Sequence, residues 1–317
     1  MDQGDERLDR GLDRRVALSG LVAAAWLSSQ QTPPETAQAL SVNSLTRMAA
    51  TVRVDGHEAL FVLDTGAERT AIAADLAASL GLPAGPGLVV HGVTAAEIVA
   101  SVVLGRLSFG GRRFRHLVAP ALPRRSLAAD GLVGLDVLSS FTLEVDLIRR
   151  EVRIRPAGDR IVTGVPPTRL PRETGARTGR FGQLILLNSR VEGRPVDAFV
   201  DSGAQYSIGN LALLSSLDGT TTRDGIDVYG VTGQRLAARL GQVRDLTVGG
   251  RSLGETPLLF ADLHAFEALG LADRPALLLG ADVLYRFDRV MLDYGRGRVA
   301  FGAVRPSFAP PPATRQG

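Results

Sequence analysis

The sequence predicts a mostly β chain built from two tandem copies of one unit. Three observations carry that prediction. A short acidic motif occurs twice, as Phe61-Val62-Leu63-Asp64-Thr65-Gly66-Ala67 and as Ala198-Phe199-Val200-Asp201-Ser202-Gly203-Ala204. The landmarks that follow it recur in the same order in both halves. Most of the remaining chain reads as short apolar or alternating runs punctuated by turn residues.

Residues 1–44 form the first element, an N-terminal signal or anchor segment. Arg14-Arg15 precede an apolar stretch from Val16 to Leu27, the order of a signal peptide's charged and apolar regions. Ala37-Gln38-Ala39 is a small-x-small site where cleavage could follow. The apolar stretch is shorter than the roughly 20 residues a membrane span needs. A cleaved export signal, a twin-arginine signal, an anchor and a buried or amphipathic helix are the open readings. The expectation is export, to the periplasm or to a membrane-anchored position facing outside the cytoplasm.

The first unit occupies residues 45–155. Thr51–Val54 and Ala59–Leu63 flank Asp55-Gly56, a two-residue hairpin signal. The apolar triplet Phe61-Val62-Leu63 reads as a buried strand that ends at Asp64. Leu76 to Leu80 offers a turn of helix. Next come His91-Gly92-Val93-Thr94-Ala95 and then Leu107-Ser108-Phe109-Gly110-Gly111, whose Gly-Gly is a turn signal. Gly131 to Leu138 supplies an apolar-apolar-Gly motif, after which Asp136 is placed to cap a short helix. Phe141, Leu143, Val145 and Leu147 alternate with polar residues, as a half-buried strand ending near Asp146 should.

Residues 156–180, rich in Pro, Gly, Thr and Arg, read as a linker. The second unit, 181–304, repeats the series. Leu184–Val191 and Val196–Val200 flank Glu192-Gly193-Arg194-Pro195, and Tyr229-Gly230-Val231-Thr232-Gly233 follows. Leu246 to Gly250 ends in Gly-Gly, and Leu277 to Leu284 carries the apolar-Gly motif and Asp282. Phe287 and Asp293 close it. The offset between matched landmarks drifts only from 137 to 147. The extra length falls where Asp262 to Leu269 reads as a helix capped by Asp262 and stopped by Gly270. Residues 305–317, with Pro310-Pro311-Pro312, read as a tail.

Composition bounds the chemistry. The chain has 317 residues, 45% of them hydrophobic, enough for a core in each of two units. The net charge is +3, and all 36 basic residues are Arg, scattered without a long basic run, so nucleic acid is not an expected partner. There is no Cys, which excludes disulfides and thiol catalysis. The four His residues (His57, His91, His116 and His264) lack metal-ligand spacing, so neither a metal nor another cofactor is expected.

One Asp-Thr-Gly alone would read equally well as a strand followed by a turn. Two copies with matched flanks point instead to a pair of carboxylates sharing acid/base work. Asp-Thr-Gly-Ala and Asp-Ser-Gly-Ala after apolar strands, each followed by an apolar-apolar-Gly motif, resemble aspartic peptidases of the retroviral, retropepsin-like type. The resemblance covers roughly residues 45–155 and 180–302. It implies two tandem acid-protease β-barrels forming a pepsin-like pseudo-dimer, a monomer with an internal pseudo-twofold acting on a protein or peptide. Asp64 and Asp201 would be catalytic. Thr65 and Ser202 would lock the two loops by reciprocal hydrogen bonds, and Gly66 and Gly203 would allow close approach. The segments around His91, Gly92 and Val93 and around Tyr229, Gly230 and Val231 would be flaps over the substrate. His91 also reads simply as a polar strand residue. Gly134 and Gly280 would belong to strands passing beneath the Asp loops, with Leu132-Val133 and Leu278-Leu279 as core.

Ala67 and Ala204 stand where pepsin-like lobes place Ser or Thr. Without a hydroxyl donor there, the carboxyl pKa values are expected to be less depressed, giving a mildly acidic to near-neutral optimum. Two other functional readings remain: a peptide-binding or scaffolding module that keeps the cleft without cleavage, and separate homodimers built on Asp64 pairs or Asp201 pairs.

Overall fold

The computed structural model describes residues 36–42, 47–157, 172–180 and 182–305. The apolar stretch Val16–Leu27, most of the segment read as a linker and the proline tail lie outside the described residues. Among the described residues no helix is long and apolar enough to cross a membrane. All of the described chain belongs to one compact unit, residues 33–317.

The first repeat is a closed barrel. Strands Met48–Val54 and His57–Leu63 are joined at Asp55-Gly56, both with positive φ, as a two-residue hairpin turn requires. His57–Leu63 then pairs in parallel with Gly131–Val133, which pairs antiparallel with Ala71–Ala73. Ala71–Ala73 runs parallel to Arg112–Leu122, which pairs with Ser101–Phe109. Arg53 opposite Ser108 and Val54 opposite Leu107 close the ring at six strands. Closure removes the exposed edges that an open sheet would leave.

The second repeat follows the same path. Leu184–Val191 and Arg194–Val200 turn at Glu192-Gly193, both again with positive φ. Arg194–Val200 pairs in parallel with Ala276–Leu279, and that strand pairs with Ile208–Gly209. Thr256–Phe260 and Arg235–Val243 come next. Leu246–Val248 returns to Leu184–Val191, with Arg190 opposite Thr247 and Val191 opposite Leu246. Gly110-Gly111 and Gly249-Gly250 all have positive φ and form the expected turns. The apolar triplets are buried on both faces: Phe61, Val62 and Leu63 are 0, 1 and 2% exposed. A strand enclosed on both sides needs a continuous apolar run and no alternation.

The sheet of the second repeat continues into strands that join the repeats. From its outer edge their order is Thr36–Ala39, Glu151–Pro156, Phe141–Asp146, Arg289–Asp293, Arg298–Phe301 and Arg172–Thr178. Phe141–Asp146 of the first repeat lies antiparallel to Arg289–Asp293 of the second, with Thr142 opposite Asp293 and Asp146 opposite Arg289. The expectation of a half-buried strand here is corrected. Thr142, Glu144 and Asp146 are buried along with their apolar neighbours, because the second repeat covers them. Burial of the acids is compensated by Arg289, whose Nη1 donates to Glu144 at 2.8 Å and whose Nη2 donates to Asp146 at 3.2 Å. Arg155 donates to Glu144 at 3.3 Å.

Three further readings change. The stretch 156–180 is not all connector, since Arg172–Thr178 forms a strand between Arg298–Phe301 and Leu184–Val191. Within 1–44, Thr36–Ala39 is an edge strand on Glu151–Pro156, and Ser41–Val42 pairs with Met48–Val54. Thus the small-x-small site is part of a sheet. The helix caps also differ from expectation. Leu135–Leu138 and Ala281–Leu284 begin after Gly134 and Gly280. His264–Ala268 begins after Leu263, while Asp262 accepts from the Leu211 N–H at 2.9 Å. Gly270 does end that segment, with a φ of 68°. The helical turn expected at Leu76–Leu80 is the helix Ala74–Ser79.

Candidate active site

Each apolar triplet delivers its Asp to the floor of a cleft between the repeats. Backbone geometry fixes the carboxylates first. The Gly66 and Ala67 N–H groups donate to Asp64 Oδ1 at 3.0 and 2.9 Å. The Gly203 and Ala204 N–H groups donate to Asp201 Oδ1 at 2.9 and 3.0 Å. The two carboxyls face each other closely enough that each acts on the ionisation of the other.

The loops are locked together by their hydroxyl residues. Thr65 Oγ1 donates to the Val200 carbonyl at 2.8 Å and accepts from the Ser202 N–H at 3.0 Å. Ser202 Oγ donates to the Leu63 carbonyl and accepts from the Thr65 N–H at 3.2 Å. Both side chains are 2% exposed, so these bonds form without competition from water. Gly66 and Gly203 are required by close approach: a Cβ on Gly66 would overlap the Asp201 carboxylate, and one on Gly203 would overlap that of Asp64. Each carboxylate therefore rests against the glycine of the opposite loop.

Beneath the loops, a second clamp repeats. Asp136 Oδ1 accepts from Thr70 N and Oγ1 at 2.9 and 2.7 Å, and Thr70 Oγ1 accepts from the Gly134 N–H at 3.1 Å. Asp282 accepts from Ser207 N and Oγ at 3.1 and 2.7 Å, and Ser207 Oγ accepts from the Gly280 N–H at 2.9 Å. Neither acid is the N-cap expected, although Asp282 Oδ1 also accepts from the Val283 N–H at 2.7 Å in the first turn of its helix. They tie the end of each Asp loop to the strand threading under it. Leu132, Val133, Leu278 and Leu279 are buried beside them.

Burial governs the electrostatics. Desolvation raises the Asp64 pKa, against the opposing pull of Arg47 and of the Gly66 and Ala67 N–H groups. Burial and then the charge of Asp64 push Asp201 up to about 7. Ala67 and Ala204 contribute backbone donors but no side-chain donor, as the sequence requires.

Two hairpins cover the floor. Leu88–His91 pairs with Ala96–Val99, and Thr222–Tyr229 pairs with Arg235–Val243. His91, Gly92, Val93, Tyr229, Gly230 and Val231 all line the same cavity of about 410 Å³ as Asp64 and Asp201. The tips interlock through Gln234, which accepts from the Thr94 N–H at 2.9 Å and donates to the Ala95 carbonyl at 3.2 Å. His91 Nδ1 lies 3.0 Å from His264 Nε2, and the Val93 carbonyl accepts from the His264 N–H at 2.9 Å. His91 is thus more than a polar strand residue: it ties the first hairpin to the helix His264–Ala268. Tyr229 stays 67% exposed at the cavity mouth. The cavity wall is mainly apolar, with Phe199, Leu259, Leu263 and Leu278 on the second-repeat side. Among the described residues no cluster of three or more His, Asp or Glu is placed to hold a metal.

Sequence reasoning missed three neighbours of the dyad. Arg47 immediately precedes Met48–Val54, and Gln183 immediately precedes Leu184–Val191, so the two occupy matching places in the repeats. Arg47 Nη1 donates to the Gly203 carbonyl and Gln183 Nε2 to the Gly66 carbonyl, both at 3.3 Å. Arg47 Nη2 also donates to the Leu127 carbonyl. A strict offset of 137 pairs Arg47 with Leu184; the one-residue bulge between Leu186 and Ser189 brings Gln183 into the matching place, so the pair shows only in the fold. Tyr294, directly after Arg289–Asp293, lies beside Thr65 and near both carboxyls; burial and those charges raise its pKa and keep it neutral. No local motif marks it.

No curated protein matches this chain. The aspartyl protease family model matches residues 50–137 and again 187–283, one match on each repeat and together more than half of the sequence. With both Asp loops meeting under two covering hairpins, this chain belongs to the aspartyl protease family, as two tandem retropepsin-like units.

Proposed function

We propose that the protein is an aspartic endopeptidase whose Asp64 and Asp201 activate a water for peptide hydrolysis. The observation that supports this best is the convergence of two buried carboxyls from two repeats at the floor of a covered, largely apolar cleft. Two carboxyls in such contact do not both ionise readily, so one proton is shared between them at working pH. The ionised member removes a proton from the water as its oxygen attacks the scissile carbonyl. The protonated member stabilises the oxygen on which charge develops. Thr65, Gly66, Ser202 and Gly203 hold the carboxyls in register, and Ala67 and Ala204 add backbone donors. The two hairpins, through His91, Gly92, Val93, Tyr229, Gly230 and Val231, pair with an extended peptide and exclude water. The protein acts as a monomer, with one site across its internal pseudo-twofold.

A peptide-library digest compares the wild type with Asp64→Asn and Asp201→Asn. Cleavage by the wild type that is lost in both variants supports the proposal. Tight peptide binding with no cleavage by the wild type would favour a scaffolding role for the same cleft. Residues 1–44 are proposed to direct export from the cytoplasm. Fractionation of cells expressing the full chain tests that; a wholly cytoplasmic protein would overturn it.

A further inference from the structure

We propose that Arg47 is a positioning residue for the proton of the dyad: it holds Asp64 as the carboxylate and leaves the proton on Asp201. This rests on the dyad reading above. The backbone around the two carboxyls is close to two-fold symmetric, so it gives neither one a preference. Asp64 rests against Gly203, whose carbonyl accepts from the Arg47 guanidinium. Asp201 rests against Gly66, whose carbonyl accepts from the neutral Gln183 amide. The matching positions Arg47 and Gln183 are 4 and 5% exposed, so the difference in their charge acts through protein and is little screened by water.

Other titratable groups also stand near the dyad. Tyr294 is held neutral by burial. Glu68, Arg69, His91 and Asp227 stand on the cavity wall, and Arg47 is the cation among the leading influences on both carboxyls. Arg47 favours the ionised form of both carboxyls and is the main influence opposing burial at Asp64. Guanidinium keeps its charge at all working pH values, which suits it to a fixed bias.

The assignment orders the chemistry. Asp64 takes a proton from water as the water oxygen bonds to the carbonyl carbon. Asp201 passes its proton to the carbonyl oxygen, giving a neutral tetrahedral diol. As the C–N bond breaks, the proton on Asp64 goes to the leaving nitrogen, and one diol proton returns to Asp201. Both carboxyls finish as they began.

The test is a carbon-13 NMR titration of the full chain labelled at Asp Cγ, with signals assigned by Asp64→Asn and Asp201→Asn. It needs no turnover, so it separates this inference from the peptidase assignment. In the wild type Asp64 should ionise at lower pH than Asp201. Arg47→Gln, which copies the second repeat, should raise the Asp64 midpoint by about one pH unit or more, and Arg47→Lys should restore most of it. If the wild type cleaves peptide, the acidic limb of kcat/KM should move up by the same amount in Arg47→Gln. A purely structural role would lower kcat without moving that limb. The wild-type titration decides the matter even where Arg47→Gln does not fold: Asp201 ionising first, or both carboxyls titrating together, overturns the proposal. So does an unchanged Asp64 midpoint in folded Arg47→Gln.

Discussion

In the first active-site loop Thr65 reaches across to the Val200 carbonyl, and in the second Ser202 reaches back to that of Leu63. The glycine of each loop packs on the other loop's carboxylate. The shell around the loops is different. Arg47 stands opposite Gln183 in kind, and Tyr294 follows Asp293 where Leu147 follows Asp146. The first covering hairpin has strands of four residues, the second strands of eight and nine. The contrast separates two requirements. Holding two carboxyls face to face needs matched backbone geometry, so the motif is repeated. Giving them different work, and gripping a substrate that has no two-fold symmetry, needs unequal surroundings.

The largest test of that symmetry is at the glycines. Gly66→Ala and Gly203→Ala should each reduce kcat by about 100-fold or more, because the added methyl must displace the facing carboxylate. Equal losses would mark a symmetric floor; a tolerated change at either position would break the comparison.

Next in size is the seam between the repeats. Arg289→Ala leaves Glu144 and Asp146 without their cross-repeat partner and should cost about 3 kcal/mol in urea unfolding, with the quarter-exposed Arg289 keeping the effect at the low end. A loss under about 0.5 kcal/mol would show that this ion pair holds nothing together.

The dyad itself gives a pH-dependent effect. Asp201 is raised from 3.8 to about 7, so the folded chain binds more protons than the unfolded chain between those values. Stability from this group is full below pH 3.8 and is lost as pH rises through about 7. Asp201→Asn should therefore melt higher than the wild type at pH 8 and lose that advantage by pH 4. A constant difference in melting temperature across this range would contradict the raised pKa.

Smaller again are the locking hydroxyls. Thr65→Ala and Ser202→Ala should each cost about 1–3 kcal/mol through buried groups left unpaired. The least effect belongs to Gln234→Ala, which removes exposed bonds between the hairpin tips and should raise KM severalfold with kcat nearly unchanged.

Much of this was legible in the sequence, for physical reasons that can be named. Hairpins at Asp55-Gly56 and Gly110-Gly111 announce themselves because few residues adopt positive φ. The Asp loops announce themselves because both copies obey the same backbone constraint. Phe141–Asp146 misled because alternation normally means one wet face, whereas here a second repeat and Arg289 cover the polar one. Asp136 and Asp282 looked like helix caps because the helix start is local, while Thr70 and Ser207 are 66 and 75 positions away. Arg47 and Tyr294 were invisible for a related reason: they reach the dyad only through pairing between distant strands, and no short motif surrounds either one.

The most direct test of the central claim, one site built by two repeats within one chain, is the cleavage rate of three samples at equal concentration: Asp64→Asn, Asp201→Asn and their equimolar mixture. The account predicts that all three are inactive toward a peptide the wild type cleaves. Activity in Asp201→Asn alone would mean that Asp64 pairs between chains, activity in Asp64→Asn alone that Asp201 does, and recovery only in the mixture that repeats exchange between chains; any of these would contradict it.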